Sequence, residues 1–249
     1  MDRVQCMLDG CDLSSGVIEI GPLCSPIVQR SSGSVRYVDH LCTEDLRAKY
    51  ADNPSVAQDR ICEVDIVWPG TGKLDLSGFT AKTCVASHVI EHIPDPLRWL
   101  NHLSDALDSD GQIALAIPDK RYTFDVRRSE TRPDEVLAAF IEERSTPSPA
   151  QIIGHGLFYS FSTLENLWNG IVDAQPVMDE VRTRWAYQLA ADIFASGKYL
   201  DVHCWVWTPE SFCEAIKIAR WAGVLNLEVA SLSDTSLGSF EFFARLRRA

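Results

Sequence analysis

"GVIEIGPLCSP", residues 16–26, is the stretch from which the fold is read. Its apolar run ending in Glu19, Ile20 and Gly21 has the form of a buried strand that delivers the chain into a ligand loop, as nucleotide-binding α/β domains often begin. The glycines that usually follow are missing. Leu23 and Ser25 take the spaced positions, and Pro22 and Pro26 stiffen the turn. A dinucleotide needs its pyrophosphate against several backbone N–H groups, so a loop with a bulky Leu23 and a donor-less Pro22 fits NAD badly.

Outward from that loop, short apolar runs alternate with helical patterns. Residues 35–39 (VRYVD), 61–68 (ICEVDIVW), 83–87 (TCVAS) and 112–118 (QIALAIP) read as the second to fifth strands, with a short helix at 43–50. A longer helix begins at an Asp95 cap with Pro96 in its first turn, and Ile93, Leu97, Leu100, Leu103 and Leu107 mark its buried face. Near the end, Thr208-Pro209-Glu210 opens a helix that stops at Gly223, followed by strands at 227–232 and 240–246 that must pair as a hairpin. The pattern predicts one domain over residues 1–249. Its fold class is α/β: a Rossmann-like, seven-stranded, mostly parallel sheet that ends in an antiparallel hairpin. Between 120 and 207 the strand rhythm stops. Helices are expected there at 133–143, 149–153, 163–171 and 177–196, the last with Met178, Val181, Trp185, Leu189 and Ile193 on its core side. This mostly helical insertion leaves the sheet above its carboxyl edge, where it is placed to act as a cap and substrate pocket.

Composition narrows the function. Lys and Arg number 23 against 35 Asp and Glu, a net charge of −12, which argues against a nucleic-acid partner. The first residues carry no apolar leader and no run is long enough for a membrane span, so a cytoplasmic protein is expected. The eight cysteines contain no CxxC pair, and they read as free thiols with no metal site.

S-adenosylmethionine carries no phosphate, and a loop with one glycine and a nearby carboxylate can accommodate it. Asp39 closes the second strand, where a carboxylate can accept from both ribose hydroxyls, and Asp65 lies in the third, where an adenine amino group is expected. The stretch "ASHVIEHIPDPLRWLNHLSDALDSDGQIALAIPD", residues 86–119, closely resembles bacterial class I S-adenosylmethionine-dependent methyltransferases. "VRYVDH", "PDKRYTFD" and "DVHCWVWTPESF" resemble a narrower group found beside glycosyltransferases of surface-polysaccharide synthesis. The resemblance implies Glu19, Gly21 and Ser25 at the methionine end of the cofactor, Asp39 and His40 at the ribose, Asp65 and Ile66 at the adenine, and Ser87 and His88 along the fourth strand's ligand end. It also implies a saccharide acceptor and admits a glycosyltransferase partner and a homodimer.

Oxygen methylation benefits from a general base, and histidine is the first choice. His155 and His203, both in the insertion, are the candidates, with Tyr122 beside them. Asp119, Arg121 and Asp125 of "PDKRYTFD" are candidate acceptor contacts. His88 and His92 stand four apart, but no full metal-ligand set is visible in sequence. Three rivals remain: a nicotinamide oxidoreductase, disfavoured because no Tyr-x-x-x-Lys occurs; methylation of a small metabolite such as a quinone precursor; and a non-catalytic glycosyltransferase subunit.

Overall fold

The computed structural model describes residues 2–174 and 179–249, so Val177 and Met178 at the expected start of the longest helix lie outside the described residues. Seven strands form one sheet in the order β3-β2-β1-β4-β5-β7-β6. They are β1 (Val17–Ile20), β2 (Val35–Asp39), β3 (Ile66–Val67), β4 (Thr83–Ser87), β5 (Gln112–Pro118), β6 (Leu227–Ser233) and β7 (Glu241–Arg248). β1 to β5 run parallel, while β7 lies antiparallel between β5 and β6. The strand order reverses between β1 and β4, and α/β sheets open a crevice at such a reversal.

Alternation along the strands feeds two cores. Ile18, Ile20, Val38, Cys84, Ala86, Ile113 and Leu115 point to one side, and Val17, Val35, Tyr37, Val85, Ala114 and Ala116 to the other. The first core is covered by α3 (Pro96–Ala106) and α8 (Pro209–Trp221), which present Leu97, Leu100, Leu103, Phe212 and Ile216. Asp95 caps α3 by accepting from the Arg98 N–H at 3.0 Å. The sequence gives no sign of α1 (Arg3–Leu8), which buries Met7 in the second core. A short α2 (Thr43–Lys49) follows β2.

The third strand is far shorter than residues 61–68. Ile66 and Val67 pair with β2, and the Asp65 N–H joins them by donating to the Tyr37 carbonyl at 2.9 Å; before that the chain turns away, with Cys62 N–H on the Leu23 carbonyl at 2.7 Å and Val64 N–H on Thr43 Oγ1 of α2 at 2.9 Å.

After β5 come α4 (Pro133–Ile141), α5 (Pro149–Phe158), α6 (Leu164–Trp168) and α7 (Glu180–Ser196). Helix α4 packs on α3 and α8 and puts Val136 and Ala139 into the first core. Helices α5 and α7 pack on each other. The stripe expected to be the core side of α7 divides: Val181 is 78% and Trp185 55% exposed beside the buried Ala186, while Leu189 and Ile193 pack with Ile152 and Val202 around the buried Ala190. The reason is close approach. A Cβ on Gly156 of α5 would stand 2.9 Å from the Ala186 Cβ, so only a small residue fits there. No helix among the described residues is long and apolar enough to cross a membrane.

Candidate active site

β1 ends at the loop that opened the sequence. Glu19 is buried beneath it, and its two carboxylate oxygens accept from the N–H groups of Ile27 and Val28 at 2.7 and 2.9 Å. Burial pushes the Glu19 carboxyl up to about 7, with those two N–H groups pulling the other way. Gly21 has φ +65°, and a Cβ there would meet Val89 Cγ2 at 3.1 Å. The next left-handed position falls on Leu23, at φ +43°. The spacing of the missing glycine is thus kept in backbone conformation, with a leucine bearing the strain. Leu23→Gly should therefore shift stability by less than about 1 kcal/mol, because relief of a left-handed leucine (roughly 1–2 kcal/mol) offsets the loss of a half-buried side chain. Thermal unfolding of the two proteins checks this. A melting point lowered as far as a core Leu truncation lowers it would show that the loop is unstrained. Ser25 is exposed, and its N–H closes a turn onto the Pro22 carbonyl.

Asp39 is buried at the end of β2. Its Oδ1 accepts from the N–H and the ring Nδ1 of His40, both at 2.7 Å, and among the described residues its Oδ2 has no hydrogen-bond partner. His40 in turn meets Lys49 through Nε2 at 3.0 Å. Asp65 does not stand at the carboxyl edge. It precedes β3, accepts from the Tyr37 N–H at 2.7 Å and pairs with Arg30 at 2.7 Å, which removes it from any ligand at that edge. Ile66 follows it, in register with Val38.

Ser87 closes β4 and accepts from Arg3 of α1 at 2.7 Å. His88 next to it has φ +54° and donates toward Glu241 Oε2 at 2.7 Å. Arg3 binds the same Glu241 through Nε and a terminal nitrogen. Burial disfavours the imidazolium of His88, but Glu241 and Glu91 outweigh it and lift the ring to about 9. Neither Arg3 nor Glu241 carries a recognisable signal in sequence, since their pairing spans the chain ends.

Beyond β4 and β5 lies a cavity of about 440 Å³, walled by Tyr122, Phe124, Tyr159, Phe161 and Phe240 with Thr123, Ser160, Ser162, His88 and His203 among them. Tyr122 stacks on Trp168 with ring centroids 3.8 Å apart. His203, 8% exposed, sits at the wall with Nδ1 2.5 Å from Asp125 Oδ2. Arg128 holds that pair from behind, donating to Asp125 Oδ1 at 3.0 Å and to the His203 carbonyl at 2.8 Å. Burial works against the Asp125 carboxylate, yet His203 and Arg128 hold it below its usual range. With Nδ1 occupied, His203 has Nε2 free for chemistry.

The other candidates part company here. His155 does not line the cavity. It stands edge-on to Phe124 and Tyr159, its buried Nδ1 has no partner, and burial lowers it to about 4. Asp119 and Arg121 are spent on each other: Asp119, with no exposure, receives three nitrogens of Arg121 at 2.6–3.0 Å and the Thr235 hydroxyl at 2.7 Å, and Arg121 also pairs with Asp234. Trp205 and Trp207 are core residues.

A family model described as a methyltransferase domain matches residues 2–171. No curated protein matches the sequence. Among solved structures, a Rhodobacter sphaeroides protein described as a Zn-dependent alcohol dehydrogenase superposes with a TM-score of 0.52 at 12% identity, covering 100% of this chain and 90% of that one. The CcbJ methyltransferase from Streptomyces caelestis gives 0.48 at 12% identity, over 99% of this chain and 94% of that one. The neocarzinostatin-biosynthesis O-methyltransferase NcsB1, solved with S-adenosylmethionine and 2-hydroxy-5-methyl naphthoic acid, gives 0.43 at 9% identity; this chain spans 51% of its length. At such identities the first of these is a likeness of fold, and the other two carry no argument.

Proposed function

The chain belongs to the methyltransferase-domain family and is an S-adenosylmethionine-dependent methyltransferase, and from that premise we propose that it methylates a hydroxyl group of a sugar or saccharide intermediate held in the 440 Å³ cavity. The observation that carries this reading is the Asp125–His203 pair at 2.5 Å, opening onto the cavity wall beside the carboxyl edge of the sheet.

The residues at that edge fit the cofactor. Gly21 leaves a cradle that a Cβ would fill, and Asp39 keeps Oδ2 for ribose hydroxyls. We assign Glu19 to holding the loop rather than to touching the ligand, since both its oxygens already serve Ile27 and Val28. When bound, the cofactor supplies an electrophilic methyl carbon whose bond to sulfur breaks with the electron pair staying on sulfur. His203 Nε2 is where the acceptor hydroxyl is activated: Asp125 fixes the tautomer, the hydroxyl proton passes to Nε2, and the freed oxygen attacks in line. Such help is worth about 10²–10⁴-fold, on top of the alignment the cavity provides. Aromatic walls with a few hydroxyls between them suit the apolar face and polar rim of a pyranose. A surface-polysaccharide intermediate, supplied by a glycosyltransferase, is the acceptor we favour. The five aromatic rings also favour a second reading, a flat aromatic phenol.

Calorimetric titration with S-adenosylmethionine and S-adenosylhomocysteine, with NAD as control, tests the premise. Micromolar binding of both sulfur ligands and none of NAD is expected, and no binding at millimolar concentration would overturn it. Nucleotide sugars and phenols, offered with the donor, then separate the two acceptor readings.

A further inference from the structure

Directly after β4, a short turn of helix (Ile90–His92) places Glu91 and His92 against His203. One ligand atom from each of the three lies within 4.8 Å of the others. Glu91 has no exposure, and among the described residues neither of its carboxylate oxygens has a hydrogen-bond partner. The ring nitrogens of His88 and His92 come no nearer to it than 3.5 and 3.8 Å. A buried carboxylate without hydrogen bonds is costly, and the structure offers it only loosely placed positive charge.

We propose that Glu91, His92 and His203 form a binding site for a divalent transition-metal ion behind the acceptor cavity, which His203 alone of the three lines. The inference rests on the acceptor reading above and replaces one step of it: with the ion bound, His203 serves as a ligand and the ion, not the imidazole, activates the hydroxyl. Two imidazoles and a carboxylate are the ligand set of open catalytic zinc sites, and imidazole nitrogens select such ions over magnesium or calcium. The flanking groups match what metal-bound histidines need. His203 Nδ1 is held by Asp125 at 2.5 Å, and His92 Nδ1 stands 2.9 Å from Asp201 without the alignment of a hydrogen bond, a contact that a small turn of the ring on binding would complete; Nε2 of each ring is then the nitrogen for the ion. The backbone is fixed as well: the N–H groups of Cys204 and Trp205 donate to the Glu91 carbonyl at 2.7 and 3.2 Å, tying the segment that carries His203 to the turn that carries the other two ligands.

The 4.8 Å spread is wider than the roughly 3.3 Å between neighbouring ligands at metal–nitrogen distances near 2.0 Å, so the ion would draw the three groups together. His88, paired with Glu241, and Arg128, behind Asp125, face the cluster with positive charge; Asp125 and Asp201 face it with negative charge. A fourth position on the side of His203, the ligand that lines the cavity, would take the acceptor hydroxyl. An ion there lowers the hydroxyl's pKa, its proton leaves to solvent, and His203 carries the ion in place of the proton.

The test is a Co²⁺ titration of chelator-treated, reduced protein, followed by visible absorption and by calorimetry. One ion per chain with weak d–d bands of a nitrogen and oxygen site is expected, and with it a loss of binding of at least tenfold in Glu91→Gln and His92→Gln. Intense near-ultraviolet sulfur charge-transfer bands would place the ion on the free cysteines instead. Should the buried variants fail to fold, Asp201→Asn, at a 53% exposed side chain, supplies the check, with affinity lowered about 10–100-fold. No Co²⁺ binding at millimolar concentration, sulfur bands alone, or binding unchanged in these variants overturns the proposal. Titration of the same metal-free protein with S-adenosylmethionine reports on the methyltransferase reading separately.

Discussion

His203→Ala is expected to lower kcat by about 10²–10⁴-fold while leaving S-adenosylmethionine affinity within a few-fold of the parent. The imidazole sits at the cavity wall, whose lining among the described residues includes none of residues 19–23. The comparison with Asp125→Asn separates position from charge. An amide cannot serve Nδ1 as the carboxylate does, so the tautomer is lost although the ring remains. It also leaves Arg128 with a neutral partner, as His203→Ala leaves Asp125 without the imidazole, and breaking a buried pair costs about 3–5 kcal/mol, so both variants should melt earlier than the parent. The pattern to find is a large kcat loss in both, with S-adenosylmethionine binding kept. His203→Ala with unchanged turnover would remove His203 from the chemistry. His155→Ala is the matched control: its ring faces Phe124 and Tyr159 outside the cavity lining, and turnover should move little.

The contrast between these two histidines shows where sequence reading stops. Both lie in the stretch that leaves β5, both have glycine or aromatic neighbours, and nothing local ranks them. What ranks them is a carboxylate 78 residues away from His203. Asp125 was visible as a polar residue of "PDKRYTFD", but so were Asp119 and Arg121, and only folding decides that those two neutralise each other while Asp125 turns to His203. The strands were legible for a simpler reason. β4 and β5 carry apolar runs bounded by polar turns, β2 interrupts its run only at the exposed Arg36, and the observed limits of all three coincide with the pattern. β3 is shorter than its sequence pattern because Cys62 and Val64, β-prone as they are, give their N–H groups to Leu23 and to Thr43 rather than to β2. In α7 Val181 and Trp185 face outward, since the close approach of Gly156 to Ala186 admits only a small side chain there, while Leu189 and Ile193 pack inward as their spacing predicts. Glu91 was hidden in plain view: a carboxylate inside an apolar run carries no mark of being unpartnered until its surroundings are built.

Glu19 supports the second large effect, on stability and on cofactor binding together. Its carboxylate is the only link the structure shows between β1 and the N–H groups of Ile27 and Val28, so Glu19→Ala leaves two buried donors unmatched. At about 1–3 kcal/mol for each, the loss is large against ordinary domain stability, and the loop that frames Gly21 loses its anchor. S-adenosylmethionine affinity should fall by more than about tenfold. The pH dependence has a definite sign. The carboxyl rises from 4.5 to about 7 on folding, so the native state holds its proton more tightly than the unfolded chain does. Its contribution is complete below pH 4.5 and is lost as pH climbs through 7, a change of about 3 kcal/mol. Glu241, held near 2 by His88 and Arg3 against the effect of burial, works in the opposite direction and only in acid. Glu19→Gln isolates the effect: the amide cannot titrate, and its one oxygen still accepts from one of the two N–H groups. The difference in unfolding free energy between the parent and Glu19→Gln should therefore favour the parent at pH 4.5 and shrink by about 3 kcal/mol by pH 8. Urea unfolding of both proteins across that range measures it. A difference that stays flat would mean that Glu19 is ionised throughout, with the two N–H groups outweighing its burial.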